Sequence, residues 1–415
     1  MTAAAAYLPF RGLRIADFSW VIAAPLATQY FAINGADVIR IESRNRPEVL
    51  RSAPPFPTEE RGANGTAYFA NYNQGKRGIT LNLRDPRAIA LARRLVATCD
   101  VVSENFAPGT MAKLGLDYEN LRVARPDIIM LSMALAGQTG PDRGNKGFGT
   151  VIQGSAGITH LTGWPDRAPA GTGVAYTDFF AAQVAAFAVL AALEHRRRTG
   201  EGQHIDLSQQ EASMEGLDAA LLAATANGDD ATRAGNRHPA AAPHGVYPCR
   251  PDPTAPEDDD RWVAIAVLTD AHWRALVAAL DSPAWIADRR FRALLGRKAN
   301  EDEMDGLLGA WTAQHTAREV ERRLAAHGVP VAAVANARDL HEDPHLAARS
   351  YVTPAHHPVL GDFPLDSLAF RLDGRRPRPS RYAPLLGGDN EAVYRELLGL
   401  GEAEYQELEA DGAIT

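Results

Sequence analysis

One carboxylate stands at an abrupt change of chemistry. In GVAYTDFFAAQ, residues 173–183, Asp178 is the last charge before Phe179–Leu193, a run whose only polar side chain is Gln183. Such a run is normally buried, so a charge at its mouth must be capped, paired or used. One reading makes Asp178 a helix N-cap, favoured by the positive end of the helix dipole. In another, Thr177 takes the cap and Asp178 falls in the first turn, free to act as a covalent nucleophile. The glycine-rich GWPDRAPAGTGVAYT just before it suits the wall of a site.

SENFAPGTMAKLG, residues 103–115, is the second stretch of interest. A strand end presents Asn105 and Phe106. Pro108 and Gly109 then open a short helix carrying Lys113, whose free N–H groups suit an anion, although an ordinary βα turn with a surface lysine would read the same way. Arg196–Arg198 sit where they complement a helix C-terminus. His341, His345, His356 and His357 have no companions at a recognised metal-ligand spacing, and H-E-x-x-H is absent, so no metal is expected. No G-x-S-x-G elbow supports a serine hydrolase.

These residues need a frame. Leu13–Phe18, Asp37–Glu42, Gly78–Leu83, Asp100–Asn105 and Asp127–Met133 read as strands. Pro25–Asn34 and Asp85–Cys99 read as helices between them. Repeated β-α-β predicts an open α/β fold, a Rossmann-like parallel sheet covered by helices on both faces. Ligands of such sheets bind at the strand C-terminal ends, here Trp20–Ala24, Glu42–Arg46, Asn82–Arg84, Asn105–Pro108 and Met133–Gly137. The first strand continues SWVIAAPLAT without G-x-G-x-x-G, which disfavours a nicotinamide or flavin cofactor.

The predicted organisation is a large α/β domain over 1–225, a linker over 226–245, a small α+β domain over 246–336, and a return over 337–415 that completes the large domain. The linker and the acidic PDPTAPEDDD, residues 251–260, are assigned by composition. One good strand, RWVAIAV, is expected in the small domain, and two short helical segments at the C-terminus.

Composition narrows the class. The 415 residues are 46% hydrophobic and 23% charged, with net charge −8. That is ordinary for a soluble globular protein and argues against nucleic acid as a partner. Two distant cysteines, Cys99 and Cys249, argue against a disulfide framework and for the cytoplasm. The N-terminus shows no signal-peptide pattern. The apolar run spans 15 residues, against the ~20 a bilayer crossing needs, so a buried core helix and no membrane are expected.

In this order, GLRIADFSWVIAAPLATQYFAINGADVIRIE, NQGKRGITLNLRDP, DVVSENFAPGTMAKLGLDYENL, AGQTGP, TDFFAAQVAAFAVLAALEHRRRTGEGQHIDLS, GVPVAAVANARDLHEDPHLAAR and APLLGG resemble the class III CoA-transferases, the formyl-CoA and carnitinyl-CoA transferase group. The likeness covers nearly the whole chain and is weakest over 226–260. It implies two interlocked subunits and acyl-CoA and a carboxylic acid as substrates, with coenzyme A the only cofactor-like group. It carries the catalytic carboxylate onto Asp178. CoA contacts fall on Val21, Ile22 and Ala23, on Leu81 and Arg84, on Asn105, Phe106 and Ala107, on Lys113, and on Ala134–Gly137, that is Ala134 through Gly137. The family's basic contact directly after RIE meets Ser43 here, so it is carried to Arg44. Trp20 and Ile22 replace smaller or more polar residues of the formyl-CoA enzyme, which disfavours oxalate as the acceptor.

The resemblance implies that Asp178 attacks an acyl-CoA thioester and passes through an aspartyl-acyl anhydride and an aspartyl-CoA thioester. Gly171–Gly173 are candidate oxyanion donors. Two other functions compete. α-Methylacyl-CoA racemases share the fold but carry a histidine in GHD, where this chain reads GFGTVIQG, residues 147–154, so a two-base mechanism lacks one base. A non-catalytic CoA-binding protein would not require Asp178.

Overall fold

The structure, a computed structural model, describes residues 8–59, 61–252 and 260–415. Most of the acidic stretch 251–260 therefore lies outside the described residues. The chain forms two compact units, one of residues 1–160, 171–231 and 345–415 and one of residues 161–170 and 232–344. The second unit thus takes a ten-residue segment from within the span 1–225.

The first unit is built on six strands: β1 (Arg14–Asp17), β2 (Asp37–Glu42), β3 (Arg77–Thr80), β4 (Val101–Glu104), β5 (Ile129–Ala134) and β6 (His204–Ser208). They pair in the order β3-β2-β1-β4-β5-β6, every pair parallel. β1 therefore lies between β2 and β4, and the chain leaves it in one direction first and the other later. That reversal opens a crevice beyond the carboxyl ends of β1 and β4. Strands covered on both faces need continuous apolar runs, and β4 and β5 are buried throughout.

One sheet face packs against the helix Pro86–Val96 and C-terminal residues including Tyr394 and Ile414. Asp85 caps that helix on the Arg87 N–H, with Pro86 at its first position, as its Asp-Pro start predicts. The other face packs against the first helix, Ala23–Ile33, and a long helix, Tyr176–Thr199. The long helix has 24 residues, not the 15 of its apolar run, and is long and apolar enough to cross a membrane by length and composition. Ala181, Ala182, Ala185, Val189 and Ala192 turn into the core, while Phe187 is 72% exposed.

The C-terminal residues close the β3 edge. Asp389 accepts from the Gly78 N–H and Asn390 from the Thr80 N–H, each at 2.8 Å, and the Tyr394 hydroxyl donates to the Thr80 carbonyl. β3 ends at Thr80 rather than Leu83: the Leu81 N–H still reaches the Glu42 carbonyl at 2.7 Å, but the Asn82 N–H turns to the Ala413 carbonyl at 2.9 Å.

The second unit holds an antiparallel sheet, β7 (His244–Cys249), β8 (Arg261–Ala266) and β9 (Val331–Ala333), over a core that includes Trp273, Leu276 and Leu308. One strand was expected here and three are present. β7 begins inside the linker span 226–245, because HGVYPC has the glycine and proline of a loop yet pairs along its length with β8. A hairpin, β10 (Val352–His357) with β11 (Gly361–Asp366), interrupts the tail of the first unit.

Candidate active site

Asp178 lies in the first turn of the long helix, which begins after Ala175 with no side-chain cap. The cap reading of Asp178 is therefore corrected, and so is the reading of Thr177 as its substitute. The Thr177 hydroxyl donates instead to the Gly149 carbonyl at 3.1 Å. Asp178 is 7% exposed. Among the described residues no donor hydrogen-bonds its carboxylate and no cation pairs with it. Burial alone pushes its pKa from 3.8 up to about 6. An unpaired buried carboxylate of this kind has no structural duty as a cap and is poorly solvated, which suits a nucleophile.

The approach to Asp178 is tight on one side. A Cβ at Gly149 would lie 3.1 Å from both carboxylate oxygens and 2.7 Å from the Ala175 Cβ. Gly147 and Phe148 continue that wall.

Asp178 opens into a cavity of about 240 Å³ at the carboxyl ends of β1, β4 and β5. Eight of the predicted contacts line it: Val21, Ile22, Ala23, Asn105, Phe106, Ala107, Ala134 and Leu135. Asn105 clasps the loop after β1, accepting from the Trp20 N–H at 2.7 Å and donating to the Trp20 carbonyl at 2.8 Å. The two strand ends flanking the crevice are thereby tied together. Gln209 also lines the cavity, and its buried Oε1 has no hydrogen-bond partner. Among the described residues Lys146 is the one cation on the lining.

A second cavity of about 690 Å³ lies at the ends of β1, β2 and β3. It shares Trp20 and Phe106 with the first, and those rings meet edge to face at 6.1 Å. The predicted Leu81 and Arg84 line it. Arg44 does not. A Cβ at Gly387 would come within 2.8 Å of Arg44 Nη2, so this side chain is turned to the C-terminal residues. Arg46 lines the cavity instead, its guanidinium 5.2 Å from the Trp20 ring centroid. The turn itself is local, closed by the Arg46 N–H on the Ser43 carbonyl at 3.2 Å, but the surroundings each arginine side chain meets, Gly387 for Arg44 and Trp20 for Arg46, are distant in sequence.

Lys113 is exposed on the short helix Thr110–Lys113, whose Thr110 and following Leu114 line the larger cavity. Gly137 lies apart from both cavities. It has φ +81° and faces Asp206, whose Oδ1 would be 3.3 Å from a Cβ there. Of the stretch Ala134–Gly137, Ala134 and Leu135 reach the Asp178 cavity. Asn145–Phe148 form the wall that the sequence reading missed. Gly171–Gly173, the candidate oxyanion donors, line neither cavity. Among the described residues no group of three or more metal-ligating side chains occurs.

A model of CoA-transferase family III matches residues 10–390. The chain belongs to that family. It is 32% identical over 406 residues to the succinyl-CoA–D-citramalate CoA-transferase of Chloroflexus aurantiacus, covering 98% of both chains. It is 35% identical over 343 residues to the succinate–glutarate CoA-transferase of Agrobacterium fabrum, covering 82% of this chain and 84% of that one. The crystal structure of a CAIB/BAIF family protein from Brucella suis superposes with a TM-score of 0.84 at 33% identity, covering 94% of this chain and all of that one. The family III protein described here is a CoA-transferase, acting on an acyl-CoA and a carboxylic acid. Among the described residues no histidine lines the Asp178 cavity, so the histidine of the racemases' His-Asp pair has no counterpart there.

Proposed function

We propose that this CoA-transferase carries CoA between dicarboxylic acids, with Asp178 as the covalent nucleophile. The observation that carries the role of Asp178 is its burial, without a donor or a cation among the described residues, in a cavity at the sheet's crevice. The names of the relatives, each a succinyl or succinate enzyme, support the substrate class. So does Lys146, a cation available to a second carboxylate in the same cavity.

In this reading Asp178 Oδ attacks the thioester carbon, the C–S bond breaks, and CoA leaves as thiolate. The thiolate then attacks Asp178 Cγ of the mixed anhydride and expels the first acid as its carboxylate. The acceptor carboxylate attacks the aspartyl-CoA thioester, again releasing thiolate and forming a second anhydride. Thiolate attack on the acceptor's acyl carbon makes the new acyl-CoA and frees Asp178. The apolar cavity walls exclude water that would hydrolyse these intermediates. The nucleotide end of CoA is assigned to the larger cavity, with Arg84, Arg46 and the nearby Lys113 for its phosphates, and its arm passes the Trp20–Phe106 pair.

The protein is further proposed to act as an interlocked homodimer in the cytoplasm. Supporting the dimer are the apolar outer side of the long helix and the helix Asp218–Asn227, which has no buried residue and exposes Leu221 and Leu222. The free cysteines Cys99 and Cys249 support the compartment.

Incubation with succinyl-CoA and hydroxylamine tests the chemistry. Mass spectrometry should find a hydroxamate on Asp178, and label-free protein that still transfers CoA to glutarate would overturn the covalent route.

A further inference from the structure

The loop that joins β1 to the first helix holds an unusual backbone. Val21 has φ +68°, in the left-handed region that a β-branched residue strongly resists. It is not at the surface of a flexible turn. Val21, Ile22 and Ala23 all line the cavity that contains Asp178. A strained residue persists only where its surroundings over-determine it.

What over-determines it is a buried carboxylate. The Val21 N–H donates to Glu48 Oε2 at 2.8 Å, and the same oxygen accepts from Arg40 Nη2 at 2.8 Å. The other oxygen, Oε1, accepts from the Leu50 N–H. Glu48 is 1% exposed and so cannot swing away into water. Arg40 is itself locked among buried acids, 3.4 Å from Glu42 and 3.7 Å from Asp17. Arg51 pairs with Glu42 and Lys76 with Asp17, so three buried acids meet three buried bases beneath the loop. The neighbouring Trp20 is held independently by Asn105.

The consequence reaches the chemistry through the first helix. That helix starts at Ala23 after Ile22 with no side-chain cap, so its first N–H groups are not taken by a capping side chain. Its positive end opens on the cavity lined by the buried acid Asp178, which has no partner among the described residues.

We propose that Glu48 is a positioning residue for CoA transfer: anchored by Arg40, it holds Val21 in its left-handed conformation and so aims the start of the first helix at the Asp178 cavity. It touches neither CoA nor acid. Without it the Val21 backbone relaxes to negative φ, and Ile22 and Ala23 turn out of register with Asp178. This inference rests on the function proposed above. A wild-type protein that transfers no CoA between succinyl-CoA and glutarate would sink that function. An active wild type makes the variants below a test of Glu48 alone.

Two variants are compared with wild type in transfer from succinyl-CoA to glutarate. Glu48→Gln keeps the size but offers one acceptor oxygen where two are needed. Glu48→Asp keeps the charge for Arg40 but is one methylene too short for Val21. Both should lose at least tenfold in kcat, and the aspartate variant should do so with a melting temperature near that of wild type. Should the glutamine variant fail to fold, the aspartate variant decides. Adding Val21→Gly, which accepts a positive φ without strain, should restore at least threefold of the lost kcat in the folded variant without raising its melting temperature. A merely structural role predicts no such recovery. A folded Glu48 variant with kcat within twofold of wild type, or no recovery with Val21→Gly, overturns the proposal.

Discussion

Replacing Asp178 by asparagine should make the protein more stable and inactive at once. The carboxyl is 7% exposed with no partner among the described residues, and burial raises its pKa from 3.8 to about 6. Between those values the native state holds a proton that the unfolded chain has lost. Stability therefore falls as pH rises through that window, and the whole cost is present above about pH 6. At about 1.4 kcal/mol per pH unit, the ionised carboxylate costs about 3 kcal/mol. The first-turn position favours the anion, but by only about 0.3–1 kcal/mol, so burial wins. Asparagine cannot ionise, so that cost disappears. Its unpartnered amide costs about as much as the neutral acid it replaces, so the two cancel and the net gain at pH 8 is about 2–3 kcal/mol. Near pH 4.5 the native carboxyl is neutral and only the unfolded one has begun to ionise, so the gain should fall to about 1 kcal/mol or less. Urea unfolding at fixed protein concentration, at pH 8 and at pH 4.5, measures both, and the same preparations should show no transfer. An asparagine variant no more stable than wild type at pH 8, or equally stabilised at both pH values, would refute the reasoning.

Because Asp178 must be ionised to attack, kcat/KM for transfer should rise with pH up to about 6 and level above it; a profile flat from pH 5 to 8 would exclude it as the titrating nucleophile. Gly149→Ala should cost about 1–3 kcal/mol of stability and most of the activity, since its Cβ would sit 2.7 Å from the Ala175 Cβ and 3.1 Å from the Asp178 oxygens; normal turnover and melting temperature would show that the wall is looser than described. By calorimetry, Arg46→Ala should weaken CoA binding several-fold, and less so at high salt, while Arg44→Ala should leave it nearly unchanged; the reverse order would mean that Arg44 is the cavity's cation. Sedimentation should show a dimer at micromolar concentration, dissociated or aggregated by Phe187→Glu with Leu222→Glu; a monomeric wild type would leave the exposed apolar faces unexplained.

Much of this protein was legible in its sequence because the relevant interactions are local. The strands β1 to β5 follow from runs of buried apolar residues, and the helix Pro86–Val96 follows from its Asp-Pro start and helical spacing. The absence of a phosphate-binding glycine loop after β1 and the order of the family-like segments pointed to CoA rather than to a dinucleotide. They also singled out Asp178 as the residue to watch. What neighbours in sequence could not decide was anything resting on distant partners. Whether Asp178 or Thr177 capped the long helix turned on Gly149, which takes the Thr177 hydroxyl and leaves the carboxylate bare. Which arginine of SRNRPE faces the cavity depended on Gly387 and Trp20. β7 needed β8 beside it before HGVYPC could be a strand. Glu48 had no signature at all, because its meaning lies in Arg40 and Val21, residues brought to it only when β1 and β2 pair side by side. Periodicity and capping are written into adjacent residues, whereas a buried charge has meaning only through the partners that folding delivers to it.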